Sequence, residues 1–600
     1  MRSRLWITVV CLFLSCGAAY GEAVIGEAAF PDAVFREYVR VFDVNGDGEL
    51  SDTELEAVAS IDVQNMSITS LNGIEYFTKL HELNCRNNNL QALDVSGNLA
   101  LTILRCDYNG LTDLNVSKNR VLELLSCSVN YLEALDISSN QALNVLFCAD
   151  NKLKALNVQG NPNITRFNCE INRLTTLDVS YNDVLIFLQC SGNNLTTLNV
   201  SNNHLLEILD CSSNQLDILD VSGIQALTEL YCHSNDLTAL DVGNNPALEI
   251  LSCGCNHLGI LDVSRNQTLT KLYCRSNDLI VLDVSNNEAL TSLECGKNSL
   301  TVLDVRNNRA LTELSCGYNP LSALDVSSNS ALTELRCYST DLTALDVSHN
   351  EALTFLQCGK NSLTAINVSN NQALNELACS FNQLGTLDVS RNQALTKLYC
   401  YSTDLTAIDV SNNPALEILS CGYNHLSILN VSGNQALTEL DCNSNQLGTL
   451  DVSRNQALTK LYCYSTDLTA IDVSNNPALE ILSCSFNKLG TLDVSRNQAL
   501  TELYCYSADL TALDVSNNPA LEILSCGYNH LGILNVSSNQ LLTGLYCYNT
   551  DLTALDVSNN PALVALFCYD NEIAEIDTSG NPKLHTFLRK QPAQGFGRYS

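Results

Sequence analysis

Cysteine, carboxylate and tyrosine side chains recur at fixed intervals in this 600-residue chain, and each interval admits a definite chemistry. Of the 27 cysteines, 24 form one series, from Cys85, Cys106 and Cys127 to Cys547 and Cys568, with a step of 21 residues and no break. Thiols can pair, bind metal or fill a core. Neighbouring in-register strands set Cβ atoms about 4.8 Å apart, whereas a disulfide takes about 3.5–4.5 Å. A buried free cysteine packs as a small hydrophobe. The series therefore reads as reduced thiols lining a core. Cys255, two residues after Cys253, stands outside the column and reads as a partly exposed thiol.

A second constellation occupies residues 43–54. Asp43, Asn45 and Asp47 supply side-chain oxygens at positions 1, 3 and 5 of a twelve-residue loop, and Gly48 at position 6 permits a sharp turn. Glu49 offers its carbonyl, Ser51 acts through a water, and Glu54 closes the shell with two oxygens. This is the pattern of an EF-hand loop, and calcium is the cofactor it predicts. A lone loop without a paired partner is expected to bind modestly, at about 10⁻⁴ to 10⁻³ M.

Two further columns follow the cysteines. Nine residues after each cysteine stands Asp in 18 copies, such as Asp94, Asp241 and Asp556, and Asn in six, such as Asn115, Asn199 and Asn535. An acid or base needs the carboxyl, so free exchange with Asn argues against catalysis and for oxygens that accept backbone N–H bonds in turns. The residues flanking each cysteine point away from the core. Towards the carboxy end many are aromatic: Tyr399, Tyr401, Tyr462, Tyr464, Tyr504, Tyr506, Tyr546, Tyr548, Phe567 and Tyr569, with Tyr423 and Tyr528 two places after their cysteines. Outward tyrosines offer contact area with a polar handle, and they are the candidate ligand-binding residues. Duplication also spreads them, since residues 382–421 recur identically at 445–484. The eight histidines are scattered, and no insertion interrupts the repeats to hold a catalytic set, so no enzyme is expected.

The elements that must position these groups follow from the repeat. Each unit reads A-L-T-x-L-x-C-x-x-N-x-L-T-x-L-D-V-S-x-N-x, as around Cys463. Leu461, Tyr462 and Cys463 alternate in, out and in, which is the period of a strand. An asparagine three places after the cysteine, in 19 of 24 copies, marks a sharp turn where a buried amide can satisfy the freed backbone groups of its own and the next coil. One coil cannot bury its apolar side alone; stacked coils can. Before the repeats, Val34, Phe35, Tyr38, Val39 and Phe42 recur at helical spacing behind Pro31, which predicts a helix over residues 30–42 and a short second helix through Ala57 and Val58. Ile61, Val63, Ile68, Leu71 and Ile74 predict an irregular first coil. The domains expected are a leader over 1–21, a helical cap with its EF-hand-like loop over 22–60, a solenoid over 61–589 and a tail over 590–600.

The run L-x-x-L-x-C-x-x-N-x-L resembles the leucine-rich-repeat signature with cysteine for the third leucine, and the 21-residue column resembles the cysteine-ladder internalins of the internalin J type among bacterial surface proteins. The resemblance spans about residues 61–588. It implies a leucine-rich-repeat solenoid with a curved parallel sheet, an irregular or helical convex side, and a binding role, often adhesion, on the concave face. The tail carries no wall-sorting pattern and no immunoglobulin-like domain follows the repeats, so covalent wall attachment is not expected.

Charge and ends bound the rest. A net charge of -34 with 31 basic residues excludes a phosphate-neutralising surface, and so nucleic acid. Arg2 and Arg4 before an apolar run over residues 5–14 predict a secretory signal, cut near Ala19-Tyr20-Gly21 or, in the alternative, before Cys16 with a lipid anchor there. No later stretch is apolar enough to span a bilayer. The function expected is a secreted or cell-surface protein that binds a protein or glycan ligand. The alternative is a structural envelope protein that associates with itself.

Overall fold

The computed structural model describes residues 23–589; the expected leader with Cys16, and the tail over 590–600, lie outside the described residues. The chain divides into two units, one reaching Leu248 and the other beginning at Glu249.

The first unit opens with β1 (Ala23–Val24), antiparallel to β2 (Glu49–Leu50). Between them α1 (Ala33–Val39) runs into a 3-10 turn at Arg40–Phe42, and α2 (Asp52–Ala57) follows β2. The helix expected behind Pro31 starts later than its sequence suggests. Asp32 is the N-cap: its Oδ1 accepts the amides of Val34 and Phe35 at 2.9 and 3.0 Å, so Pro31 precedes the helix. Its Oδ2 accepts from the amide and the hydroxyl of Thr69, both at 2.8 Å, and ties α1 to the first coil. Phe35 and Val39 are buried, and the Phe30 ring meets those of Phe35 and Phe77 at 5.9 and 6.5 Å. Gly73 makes room for this: its φ is 101°, and a Cβ there would lie 2.4 Å from the Phe30 ring.

From Ser60–Asp62 to Glu229–Tyr231 the first unit is a parallel sheet of nine three-residue strands. Ile61 pairs with Leu83, 22 residues on, and from Leu83 to Leu104 the step becomes 21. Ile61, Val63, Ile68, Leu71 and Ile74 are all buried, as expected of an irregular first coil. The second unit has seventeen parallel strands, from Ile250–Ser252 to Thr586–Leu588, in register throughout. Beyond Tyr76 the described residues hold no helix, so the return path of each coil is irregular rather than helical.

Each coil buries six apolar side chains, as Leu122, Leu125, Cys127, Leu132, Leu135 and Ile137 show. Fully burying one such leucine contributes about 1.5–3 kcal/mol. Burial also pushes the thiols up: Cys148 and Cys379 reach about 12, and Cys106 and Cys127 stand well above the usual range. A thiol held so far from ionisation is a poor nucleophile and a poor metal ligand.

The turn after each cysteine has a fixed form. The residue two places on adopts left-handed backbone even where it is β-branched, with φ 55° at Val129 and 51° at Ile171. The next residue locks it. Asn130 donates Nδ2 to the carbonyls of Cys127 in its own coil and Cys106 in the preceding one, both at 3.1 Å, while its Oδ1 accepts the Leu111 amide at 3.0 Å. Where Thr replaces Asn the hydroxyl serves only part of this. Thr340 Oγ1 donates to Cys337 O at 2.9 Å, and Asn361 of the following coil supplies the acceptor for the Thr340 amide at 3.0 Å. The five exceptions, Thr340, Thr403, Thr466, Ala508 and Thr550, are never adjacent, and an asparagine always follows in the next coil.

Two more columns close the coil. The Asp/Asn position caps a turn in either form: Asp136 Oδ1 accepts the Ser138 amide at 2.9 Å and Asn115 Oδ1 accepts the Ser117 amide at 3.0 Å. Four places further lies a second asparagine in every repeat but the one with Ile224. Asn140 Nδ2 donates backwards to Val116 O at 3.0 Å and Asn119 O at 2.8 Å, and its own Oδ1 has no partner. The repeat pattern contains this residue, yet nothing in its spacing announces the role.

Two outcomes test this packing. Alkylation of the native protein is expected to label Cys255 and to reach the 24 column thiols only after unfolding; column disulfides in the purified protein would refute it. Asn361→Ala is expected to destabilise more than Asn319→Ala, by about 1 kcal/mol or more, because Asn361 also accepts from both polar groups of Thr340. Denaturation midpoints of the two variants decide it, and equal losses would overturn the account.

Candidate binding surface

Strand geometry alternates the side chains, so the inward leucine and cysteine of each coil leave outward positions immediately before and after the cysteine. All ten tyrosine and phenylalanine residues singled out from the sequence lie in the second unit and are half-buried. Six of the ten pack against another aromatic ring. Tyr548 stacks on Tyr569 with centroids 4.6 Å apart and planes 8° apart, and Tyr546 on Phe567 at 5.1 Å and 25°. Tyr506 meets Tyr548 at 5.7 Å across the intervening coil, where Gly527 leaves the space: a Cβ there would sit 3.1 Å from the Tyr548 ring.

The left-handed position two places after the cysteine adds a third row. Phe381 meets Tyr401 at 5.4 Å and Tyr423 meets it at 4.9 Å; Phe486 and Tyr528 each meet Tyr506 at 5.1 Å. These rings are the more exposed, Phe486 at 56% and Tyr423 at 50%. Tyr423 and Tyr528 were legible as members; Phe381 and Phe486 were not singled out, although an aromatic two places after the cysteine was the signal. The pairs are not all joined. Tyr399 and Tyr462 lie three coils apart in one row, with Ser420 and Asp441 between them.

Polar handles are fixed as well. Tyr504 donates its hydroxyl to Glu502 Oε2 at 2.8 Å, and burial first, then this carboxylate, push its phenol to about 12. Burial likewise raises Tyr464 to about 12. The stripe therefore presents neutral phenols and flat apolar faces, suited to binding rather than to proton transfer. In the first unit the same face carries charges instead, but these are paired: Arg86 with Asp107 at 3.1 Å, and Arg105 with Glu82. Glu170 accepts from the Asn168 side chain at 3.3 Å.

The loop over residues 43–54 folds onto itself. Asp43 accepts the Gly46 and Gly48 amides at 2.7 and 2.9 Å, Asn45 Oδ1 the Asp47 amide and Asp47 Oδ1 the Glu49 amide, both at 2.9 Å. Glu54 reaches back across the loop to the Val44 amide at 2.8 Å while sharing a capping box with Ser51. The Ser51 amide, the Ser51 hydroxyl and the Val44 amide hold its carboxyl down at about 2. A carboxylate lowered in this way supports the fold above its ordinary value near 4.5, and that support is lost as the pH falls towards 2. Among the described residues no three His, Cys, Asp or Glu side chains stand together ready to hold a metal ion. The loop's side-chain oxygens accept from its own backbone amides and from the Asn45 and Ser51 side chains. Cys255 is exposed at a left-handed position, with φ 55°. Among the described residues no helix is long and apolar enough to cross a membrane.

No family model matches the chain, and no curated protein matches it. Solved structures do. A plant peptide hormone receptor, RGFR1, in complex with RGF2, is 20% identical over 83% of this chain and 95% of its own, with a TM-score of 0.65. The leucine-rich-repeat ectodomain of the receptor kinase GASSHO1/SCHENGEN3 from Arabidopsis thaliana is 17% identical over 83% of this chain and 68% of its own, with a TM-score of 0.63. These two show the solenoid fold alone. The functional domain of InlJ from Listeria monocytogenes, which includes a cysteine ladder, is 34% identical over 70% of this chain and 79% of its own, with a TM-score of 0.43. By this sequence identity and the shared column of cysteines, the chain belongs to the cysteine-ladder leucine-rich-repeat proteins of the internalin J type.

Proposed function

We propose that the protein is a secreted or surface-exposed binding protein that recognises a protein ligand on the aromatic strand face of its second unit. The observation that carries this is the run of rings from Phe486 through Tyr506, Tyr528 and Tyr548 to Tyr569, each in contact with the next or the one after. Rings of this size held on strands lose little freedom on binding, and truncating one that anchors a ligand costs more than about 1 kcal/mol. The plant receptor with the same fold is solved with the peptide RGF2, which supports a proteinaceous ligand over a glycan. Calcium at residues 43–54 would fix α1 and α2 against the first coil. Asp43, Asn45 and Asp47, the Glu49 carbonyl and Glu54 give the hard oxygen set that calcium takes.

Screening the mature chain against extracellular proteins and glycans, with and without calcium, tests the reading. Changing Tyr504 and Tyr506 together to Ala should weaken the ligand found by tenfold or more, while circular dichroism shows the fold intact, because neither ring lies in the leucine core. Ser525→Ala on the neighbouring coil should leave affinity unchanged. An unchanged double variant would remove the stripe from consideration, and association of the protein with itself alone would favour an envelope role.

Titration calorimetry addresses the loop. One calcium per chain is expected, at about 10⁻⁴ to 10⁻³ M. Glu54→Gln keeps the helix cap but removes the closing charge, and it should abolish the heat. Equal heats from the two proteins would defeat the assignment.

A further inference from the structure

The coils from Cys400 to Cys463 hold an acidic group that the stripe alone does not explain. Asp441 stands on a strand immediately before its cysteine, half-buried, and pairs in register with Tyr462. Its Oδ1 accepts both the amide and the side-chain Nδ2 of Asn443. The orientation of Asn443 is thereby settled, since the carboxylate demands the amide nitrogen. Its Oδ1 is left with no partner although the residue is only 2% exposed. The side chain lies over Gly422, where a Cβ would come within 2.9 Å of it. The Tyr423 amide donates to the Asn443 carbonyl at 2.9 Å, and the Tyr423 ring packs on that of Tyr401 with centroids 4.9 Å apart. Burial raises the Asp441 carboxyl, and Lys460 on the adjoining strand is engaged by Glu439 at 3.5 Å.

The chain itself shows how such a carboxylate is completed. In the first unit Asp107, also next to its cysteine and 2% exposed, accepts from Ser126 and Ser128 and carries Arg86 at 3.1 Å. Elsewhere on the strand face Arg336 lies over the Phe355 ring at 4.6 Å. At Asp441 a carboxylate, a second bare acceptor and tyrosine faces occur together, and among the described residues no guanidinium pairs with the carboxylate. Resting on the reading of the stripe as a ligand surface, we propose that Asp441 and Asn443, walled by Tyr401, Tyr423, Tyr462 and Tyr464, receive an arginine side chain of the protein ligand. The guanidinium supplies planar donors to the two acceptors and a face to the rings.

The probe is the blocked peptide acetyl-Gly-Arg-Gly-amide, with citrulline or lysine in place of arginine, titrated calorimetrically into the full chain. Arginine is expected to bind about tenfold more tightly than its neutral isostere citrulline, with lysine between them. Asp441→Asn should weaken the arginine peptide about tenfold, and Tyr464→Leu, which keeps the carboxylate, about threefold. Asp570→Asn, an exposed carboxylate on the same face, should change nothing and so controls for the general acidity of the chain. Equal affinity for arginine and citrulline, or an Asp441→Asn protein that binds as the wild type does, overturns the site. If the protein ligand is lost on changing Tyr504 and Tyr506 but kept by Asp441→Asn, the arginine site alone falls. If both variants keep it, the stripe falls first.

Discussion

Everything described here depends on the turn that follows the column cysteine. A coil can stack on its neighbour only if the chain leaves the strand at the same angle every 21 residues. That exit requires a left-handed residue, which most side chains resist. The asparagine one place later offsets the resistance by bonding two carbonyls and one amide across two coils. Part of the compensation thus reaches into the preceding coil, which makes neighbours interdependent rather than merely adjacent. The threonine coils show the same dependence from the other side, since each leans on the asparagine of the coil after it.

The aromatic surface is a by-product of this regularity that can be put to use. Register fixes where each outward side chain stands, so a glycine in one coil leaves room for a large side chain of the next. Gly422 and Gly527 do this for Asn443 and Tyr548. A ligand face is therefore written by the choice of two or three residues per coil, with the leucines and the cysteine left alone. The first unit writes ion pairs such as Arg105 with Glu82 on these positions, and the second adds tyrosine stacks to ion pairs of its own, such as Lys460 with Glu439.

Much of this was legible in the sequence, because the repeat samples each position two dozen times. The inward leucine and cysteine, the bonding role of the first asparagine, the turn-capping role of the Asp/Asn column and the irregular first coil all follow from period and residue type. What was not legible depends on single contacts. Pro31 looked like a helix start because nothing in the local pattern reveals that Asp32 also holds Thr69, 37 residues away. The second asparagine column hid in plain view, since its bonds run to carbonyls of the preceding coil. Asp441 has the composition of any strand-face acid, and only the neighbours brought to it by stacking set it apart. The oxygens at residues 43–54 matched a pattern position by position, yet the fold shows them bonded to backbone amides, an arrangement the pattern does not encode.

The column of buried thiols has a kinetic consequence. While the coils stay stacked, each sulfur is screened from oxidants and from its own ionisation. Once a few coils open, their thiols regain ordinary reactivity, and in an oxidising medium they can couple out of register or between molecules. Such links cannot be accommodated by in-register strands, so restacking is blocked. Unfolding then works as a ratchet: the lifetime of the molecule is set by how rarely its first coils part, not by the balance between folded and unfolded forms.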